Sequence, residues 1–320
     1  VLNRQLSGVR KKSLLEMLGP VPDVDPDRYG EGGPVAALES RVAQLLGTEA
    51  ALFVPTGTMA QQIALRCWAD RTHNPIVAMH PLAHPLNHED DALAVLSCLR
   101  PIKVRNAEVG TCPEPFGTLL VEVPDREAGF VLPTWDELTT LVDLARERDA
   151  VVHLDGARLW ESTHGLGKPL EEIAGLFDSV YVSFYKSLEG ISGAALAGTQ
   201  DFVDQARVWR HRYGGMLFQQ WPAALSALHG LDTVLPRLGA YVEHAKVVAA
   251  AMGLPEPHTH QFALHLPGDP ARLTEVSGKF LGGFWRDGQL AKTEITVAEP
   301  ALEWTADEVR EAWEEFQSLL

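Results

Sequence analysis

The chain has 320 residues, 46% hydrophobic and 22% charged, the balance of an ordinary globular protein long enough for one large domain and a smaller one. A formal charge of −16 argues against nucleic acid and anionic membrane as partners, since both are bound through basic surface. The 3 cysteines, Cys67, Cys98 and Cys112, form no C-x-x-C and suggest neither a disulfide framework nor a zinc site; no apolar run reaches membrane-span length, and a reducing cytoplasm is the expected place.

Residues 1–28 read as an N-terminal arm. Arg4, Arg10, Lys11 and Lys12 are scattered among short apolar pieces, unlike a signal peptide, and the prolines of PVPDVDPDRYG rule out regular helix after them. Helical spacing begins near Val35 and continues through Leu38, Val42, Leu45 and Leu46, with Gly47 as its stop. AALFVPTGTMAQQIALRCWAD then predicts a short strand, a turn and a helix, placing Thr56, Gly57 and Thr58 at the helix N-terminus. Free N–H groups and the positive dipole end favour a phosphate there; capping by Thr explains the same residues equally well. Neither a Walker motif nor G-x-G-x-x-G occurs in this turn, so ATP and dinucleotides lack their usual warrant.

His80, His84 and His88 recur every fourth residue in IVAMHPLAHPLNHE, which on a helix would form a metal face. Pro81 and Pro85 interrupt that helix, so no metal is expected. One imidazole lying flat on an aromatic cofactor and a solvated loop histidine both remain open readings.

TLLVEVP (118–124) predicts a strand, and Thr134 with Glu137 forms a capping box into the next helix. The apolar run VVHL ends in Asp155, followed by Gly156, Ala157 and Arg158; a second run, SVYVSFY, ends in Lys186. Ligands of open α/β sheets bind beyond the carboxyl ends of strands. An amine and a carboxylate in those places suit pyridoxal phosphate, the amine carrying the aldehyde as a Schiff base and the carboxylate holding the ring nitrogen protonated. The intervening segment, about thirty residues, is long enough for a parallel crossover with a helix. Singly, a strand-terminal Asp is more often a turn former and a lone Lys a surface charge. The pair carries weight only with a phosphate site upstream, which the turn at Thr56–Thr58 could supply.

QARVWRHRYGG brings Arg207, Arg210 and Arg212 near a glycine turn, where one could neutralise phosphate, although such clusters usually form a solvated face. A long helical stretch from about residue 223 should be kinked or split by Pro236. Strand-like HQFALHLP, helix-like DPARLTEVSGKF, strand-like EITVAE and a final helix with a Thr305/Glu308 capping box complete a small α+β unit. The expected fold is α/β: an arm over 1–28, a large domain with a mainly parallel, doubly wound sheet over 29–235, and a small C-terminal α+β domain over 236–320.

Several ordered segments resemble the threonine aldolase/β-eliminating lyase group of fold type I (aspartate aminotransferase-like) pyridoxal phosphate enzymes. They are YGEGGPVAALESRVAQLLGTEAALFVPTGTMAQQIAL, the stretch around His84 and Glu89, HLDGARLW, SVYVSFYKSLEGISGAALAGTQDF and WRHRYGG, spanning roughly residues 29–231. The resemblance implies that Thr56, Gly57 and Thr58 hold the cofactor phosphate with Arg210 near it. It also implies that His84 stacks on the pyridine ring, Asp155 pairs with the ring nitrogen, and Lys186 forms the Schiff base. Arg158 would bind near the ring hydroxyl or the substrate carboxylate, with Ser7, Tyr29 and Arg126 as further substrate-binding positions. Lys186, His84, Asp155 and Arg158 are thus the expected catalytic set. The family assembles as homodimers or homotetramers with sites near subunit interfaces, and its substrates are amino acids.

Three departures fall outside the cofactor half of that pattern. The family's E-N-T-H segment reads EVPDRE (122–127), leaving Arg126 or Glu127 where a histidine is usual. KTEITVAEP lacks the usual C-terminal Arg, and the glycine turn continues as GGMLFQQ rather than into Met-Arg. The leading expectation is cleavage of a β-hydroxy-α-amino acid, of threonine, allo-threonine or β-aryl-serine type, to glycine and an aldehyde. A β-elimination giving a keto acid and ammonia, and a catalytically silent cofactor-binding homologue, are the alternatives.

Overall fold

A computed structural model describes residues 2–320, which form two compact units. The larger holds Ser13–Glu127 and Pro133–Leu235; the smaller holds the N-terminal stretch to Lys12, Ala128–Leu132 and Pro236–Leu320. The N-terminal arm of the sequence reading is therefore divided. Its first part packs in the smaller unit, where Gly8 N–H donates to Thr296 O at 2.8 Å and Arg4 pairs with Glu308 at 2.9 Å. From Ser13 onward the chain belongs to the larger unit, beginning with a capped turn of helix, Leu14–Leu18.

The larger unit carries β1 (Ala50–Val54), β2 (Ile76–Met79), β3 (Arg100–Lys103), β4 (Thr118–Glu122), β5 (Val151–Gly156), β6 (Ser179–Ser183) and β7 (Ala194–Gly198). They form one sheet in the order β1-β7-β6-β5-β4-β2-β3. From β6 to β3 every pairing is parallel, while β7 runs antiparallel to both β6 and β1. Strands covered on both faces read as unbroken apolar runs, and β7 (AALAG) is buried throughout. The parallel register sets Glu122 opposite Asp155, and Asp155 opposite Tyr181, so the carboxyl ends of β4, β5 and β6 stand in a row. That row is where the site is built.

The helix Gly33–Leu46 buries Val35, Leu38, Val42 and Leu46, and Gly47 ends it in the left-handed conformation (φ 62°), where glycine meets no Cβ penalty. The helix Gly57–Thr72 is buried along much of its length, Gln61 and Gln62 included: Ala60, Ile63, Ala64 and Cys67 pack with Leu52, Val54, Leu196 and Phe202. Trp135–Arg146 starts at the Thr134/Glu137 capping box. Pro236 does split the long helical stretch, into Trp221–Thr233 and Leu238–Ala251.

The smaller unit pairs β8 (Gln261–Leu266), β9 (Trp285–Asp287) and β10 (Leu290–Thr296) antiparallel in the order β8-β10-β9. Phe262, Phe280, Trp304, Trp313 and Phe316 form its core, and the Thr305/Glu308 box opens its last helix, Ala306–Ser318. A mainly parallel sheet with a separate small α+β unit is the architecture expected from the sequence. Among the described residues no helix is long and apolar enough to cross a membrane.

Candidate active site

Asp155 is the last charged residue of β5 and is 2% exposed. The turn after it is laced to the end of β6: Ser183 Oγ donates to Ala157 O at 2.7 Å, and Trp160 Nε1 donates to Ser183 O at 2.8 Å. Gly156 is required by space, since a Cβ there would lie 2.7 Å from Tyr181 O. These contacts fix the Asp155 turn against the strand that leads to Lys186. Asp155 Oδ1 accepts from Ala157 N at 3.1 Å. Burial pushes the Asp155 carboxyl up, and the Lys186 ammonium is the strongest influence opposing it.

Lys186 lies three residues beyond β6, in a bend that Gly190 N closes onto Phe184 O at 2.8 Å. Burial and then the neighbouring Arg158 guanidinium pull the Lys186 amine down, while Asp155 and Glu122 pull the other way. A lysine biased toward its neutral form is the nucleophile that addition to an aldehyde requires.

Upstream, Thr56 caps the helix Gly57–Thr72, its Oγ1 accepting from Met59 N at 3.1 Å. Capping thus does occupy Thr56. The first turn still offers unsatisfied N–H groups, and Gly57 leaves room that no side chain could share: a Cβ would sit 2.2 Å from the Tyr181 hydroxyl. Tyr181 stands opposite Asp155 in the sheet, which brings the helix N-terminus, the carboxylate and the lysine strand to one place.

The rings of His84 and His88 lie side by side, centroids 5.1 Å apart, but each of the three histidines turns to a different acid. His80 Nδ1 is 3.8 Å from Asp125, His84 Nδ1 is 3.2 Å from Glu89, and His88 Nε2 is 2.9 Å from Glu127. His84 opens a single helical turn, His84–Asn87, despite the prolines, because Pro85 occupies its first turn where no N–H is needed. No three His, Cys, Asp or Glu among the described residues converge as metal ligands.

Glu122 was not singled out from the sequence, and it belongs to the site. Its Oε2 accepts from His84 N at 3.3 Å and its Oε1 from Arg126 N at 3.4 Å. Burial, then the adjacent Asp155 and Asp125, raise its pKa to about 8. The signal was available: Glu122 ends the apolar run TLLV just as Asp155 ends VVHL. Tyr181 and Tyr185 were missed as well. They are neighbours, and burial raises both phenols.

The remaining candidates divide. Arg126 and Arg158 both bear on the Lys186 amine, but Arg126 Nη1 is held by Glu127 at 2.8 Å. Arg210 is fully buried; its Nη1 donates to Phe53 O at 2.9 Å, bracing the strand that leads into the Thr56 turn. Arg210 Nε and Nη2 have no partner, and Nη2 would be 3.0 Å from a Cβ on Gly30. Tyr29 is half exposed at φ 54°, edge-on to Phe218 at 5.4 Å. The buried Asp27 carboxylate holds that loop, accepting from Gly30 N at 3.2 Å and Gln220 N at 2.9 Å. Ser7 lies in the smaller unit, where its Oγ donates to Glu294 O at 3.4 Å and accepts from Thr296 N at 3.1 Å.

Residues 22–265 match the beta-eliminating lyase family model. A protein from Exiguobacterium sp. 255-15, provisionally described as an aromatic amino acid beta-eliminating lyase/threonine aldolase, is 37% identical; the alignment covers 99% of this chain and 97% of that one, with a TM-score of 0.92. A Listeria monocytogenes EGD-E protein, provisionally described as an L-allo-threonine aldolase, is 35% identical over 99% of this chain and 96% of its own, again with a TM-score of 0.92. The low specificity L-threonine aldolase of Escherichia coli (strain K12) is 32% identical over 240 residues, 71% of each chain.

Proposed function

Because the chain belongs to the beta-eliminating lyase family, we propose that it is a pyridoxal phosphate-dependent lyase of fold type I that cleaves the Cα–Cβ bond of β-hydroxy-α-amino acids, giving glycine and an aldehyde. The observation that carries this reading is the convergence of the buried Asp155, the depressed Lys186 amine and the helix N-terminus at Gly57. The residues fit the cofactor. Gly57 and Thr58 would take its phosphate, Lys186 its aldehyde, Asp155 its ring nitrogen, and His84 one face of the ring. Arg210, braced on Phe53 O with two unpaired nitrogens, would contribute charge near the phosphate turn. When bound, the group supplies an electron sink for the pair left by bond cleavage.

The chain's own residues do the rest. Arg158, within electrostatic reach of Lys186, holds the substrate carboxylate, assisted by Arg126. Tyr29 would supply a further substrate contact. His84, backed by Glu89, accepts the β-hydroxyl proton on Nε2, the imidazole nitrogen not turned toward the carboxylate. Lys186, biased toward its neutral form, can hold and return a proton at Nζ. Asp155 is buried and Lys186 half-buried, which limits the access of competing water to the carboxylate.

Glu122 favours a second reading on the same scaffold. A carboxyl still protonated near neutral pH can donate to a departing β-substituent, as β-elimination to a keto acid and ammonia requires. Assay of β-hydroxy and β-substituted amino acids for glycine plus aldehyde against keto acid plus ammonia separates the two. Glycine and aldehyde are expected; keto acid and ammonia alone would replace the aldolase reading by the eliminase, and no turnover of either class would leave a silent homologue.

Assembly as a homodimer or homotetramer is part of the proposal, supported by apolar side chains left exposed in the larger unit, Leu14 at 80%, Leu15 at 76% and Phe218 at 57%. A cytoplasmic place is supported by the three cysteines being free thiols.

A further inference from the structure

Glu89 is buried, with 1% of its side chain exposed, and its two oxygens face different partners. Oε1 is 3.2 Å from His84 Nδ1. Oε2 accepts from Gln62 Nε2 at 3.4 Å, from the helix Gly57–Thr72. Gln62 Oε1 lies 2.5 Å from Ser97 Oγ, and Ser97 Oγ is 2.7 Å from the hydroxyl of Tyr213, the residue that caps the helix Gln200–Arg212. Arg66 Nη1 fixes the backbone of Ser97 by donating to its carbonyl at 3.1 Å. Gln62 and Ser97 are each 2% exposed, so no solvent competes for these bonds.

The direction of every bond in this chain follows from its end. A carboxylate only accepts. Gln62 must therefore turn its amide nitrogen to Glu89, which leaves its oxygen facing Ser97. Ser97 has a single hydroxyl proton and gives it to that oxygen, so Tyr213 must be the donor to Ser97. By the same rule His84 must carry its proton on Nδ1, where it meets Glu89. An amide stands in the middle of the chain, so the chain orients and does not conduct protons.

We propose that Gln62, Ser97 and Tyr213 are positioning residues for His84: their hydrogen-bond chain holds Glu89 in the one orientation that fixes the Nδ1–H tautomer and leaves Nε2 as an acceptor. The assignment of tautomer stands on the geometry alone; its consequence for turnover rests on the lyase reading above. It also gives His84, 35% exposed in its side chain, a buried partner for one of its ring nitrogens. The residue that would touch substrate is His84, and the three others act through it.

The test uses the full-length protein labelled with 15N-histidine, read by long-range 1H–15N correlation spectra, with the His84 signal assigned by its loss in His84→Asn. The expected result is a protonated Nδ1 and an unprotonated Nε2 in the starting protein. Gln62→Leu and Ser97→Ala should mix the tautomers, whereas Ser97→Thr, which retains the hydroxyl, should preserve the starting pattern. Loss of one donor to a buried carboxylate predicts a fall in kcat of roughly tenfold for Gln62→Leu, with KM changing by less than about threefold. Tyr213→Phe, which only removes the donor to Ser97, should act in the same direction by a smaller factor. A protonated Nε2 in the starting protein, or Gln62→Leu and Ser97→Ala that keep both the tautomer and kcat, would overturn the proposal. If the tautomer pattern is as expected while no amino acid is cleaved, the positioning chain stands and the functional reading falls.

Discussion

Glu122 and Asp155 face each other at the carboxyl ends of the adjacent parallel strands β4 and β5, Asp155 buried and Glu122 half-buried, one strand spacing apart. Like charges so placed do not ionise together at no cost, and the environments divide them. Asp155 has the Lys186 ammonium and Ala157 N–H to favour its charge. Glu122 has Asp155 and Asp125 against it, and remains protonated up to about 8. The pair therefore sets a Glu122 carboxyl that keeps its proton to about 8 beside the Asp155 carboxyl that would face a cationic ring nitrogen.

That division sets a pH dependence of stability. The folded-state pKa of Glu122 lies above its unfolded value, from 4.5 to about 8, so its contribution is fully present below pH 4.5 and is lost as pH rises through 8. Thermal melts of the protein without added cofactor should show the loss across that window, on the order of 2–4 kcal/mol. Glu122→Gln keeps the neutral shape and removes the titration. Its melting temperature should change less between pH 5 and pH 8.5 and exceed that of the starting protein at the upper end; parallel pH curves for the two proteins would contradict the assignment.

Gly57→Ala places a methyl group 2.2 Å from the Tyr181 hydroxyl. Overpacking of this kind costs about 1–3 kcal/mol and here displaces the turn that would receive phosphate. Titration with pyridoxal phosphate should give a Kd weaker by roughly tenfold or more, and Tyr181→Phe in the same chain should recover part of the loss. Unchanged affinity in Gly57→Ala would separate this turn from the cofactor.

Arg158 and Arg126 make an ordered prediction. Arg158→Ala should raise KM for the amino acid by a factor equivalent to about 1.5–3 kcal/mol, the loss of one charge-assisted pair. Arg126→Ala should raise it less, because Arg126 bears on the Lys186 amine more weakly than Arg158 does. The reverse order would move the carboxylate-binding role to Arg126.

Much of this was legible where one residue decides a local structure. Gly47 and Pro236 end or divide helices by their own backbone properties, and Thr134 and Thr305 announce helices through capping boxes four residues long. Asp155 and Lys186 stood out because each closes an apolar run. Glu122 obeys the same rule, but singly a strand-terminal acid reads as a turn former, and only the sheet register sets it beside Asp155. The chain from Glu89 to Tyr213 follows no such rule: its links join residues 27, 35 and 116 positions apart, and only packing of three elements brings them together. The edge strand β9 is three exposed residues with no apolar alternation to betray it. Likewise the bond from Gly8 to Thr296, which ties the first residues to β10, exists only once the smaller unit has folded.

The central claim is that Lys186 and Asp155 form a pyridoxal phosphate site that works on β-hydroxy amino acids. Its most direct test is the visible absorption spectrum of the purified protein with added pyridoxal phosphate, recorded before and after glycine, for the starting protein and for Lys186→Ala. A visible band with the starting protein, absent in Lys186→Ala and shifted to longer wavelength by glycine, is the predicted result. A protein that remains colourless with the cofactor, or the same band in Lys186→Ala, would contradict it.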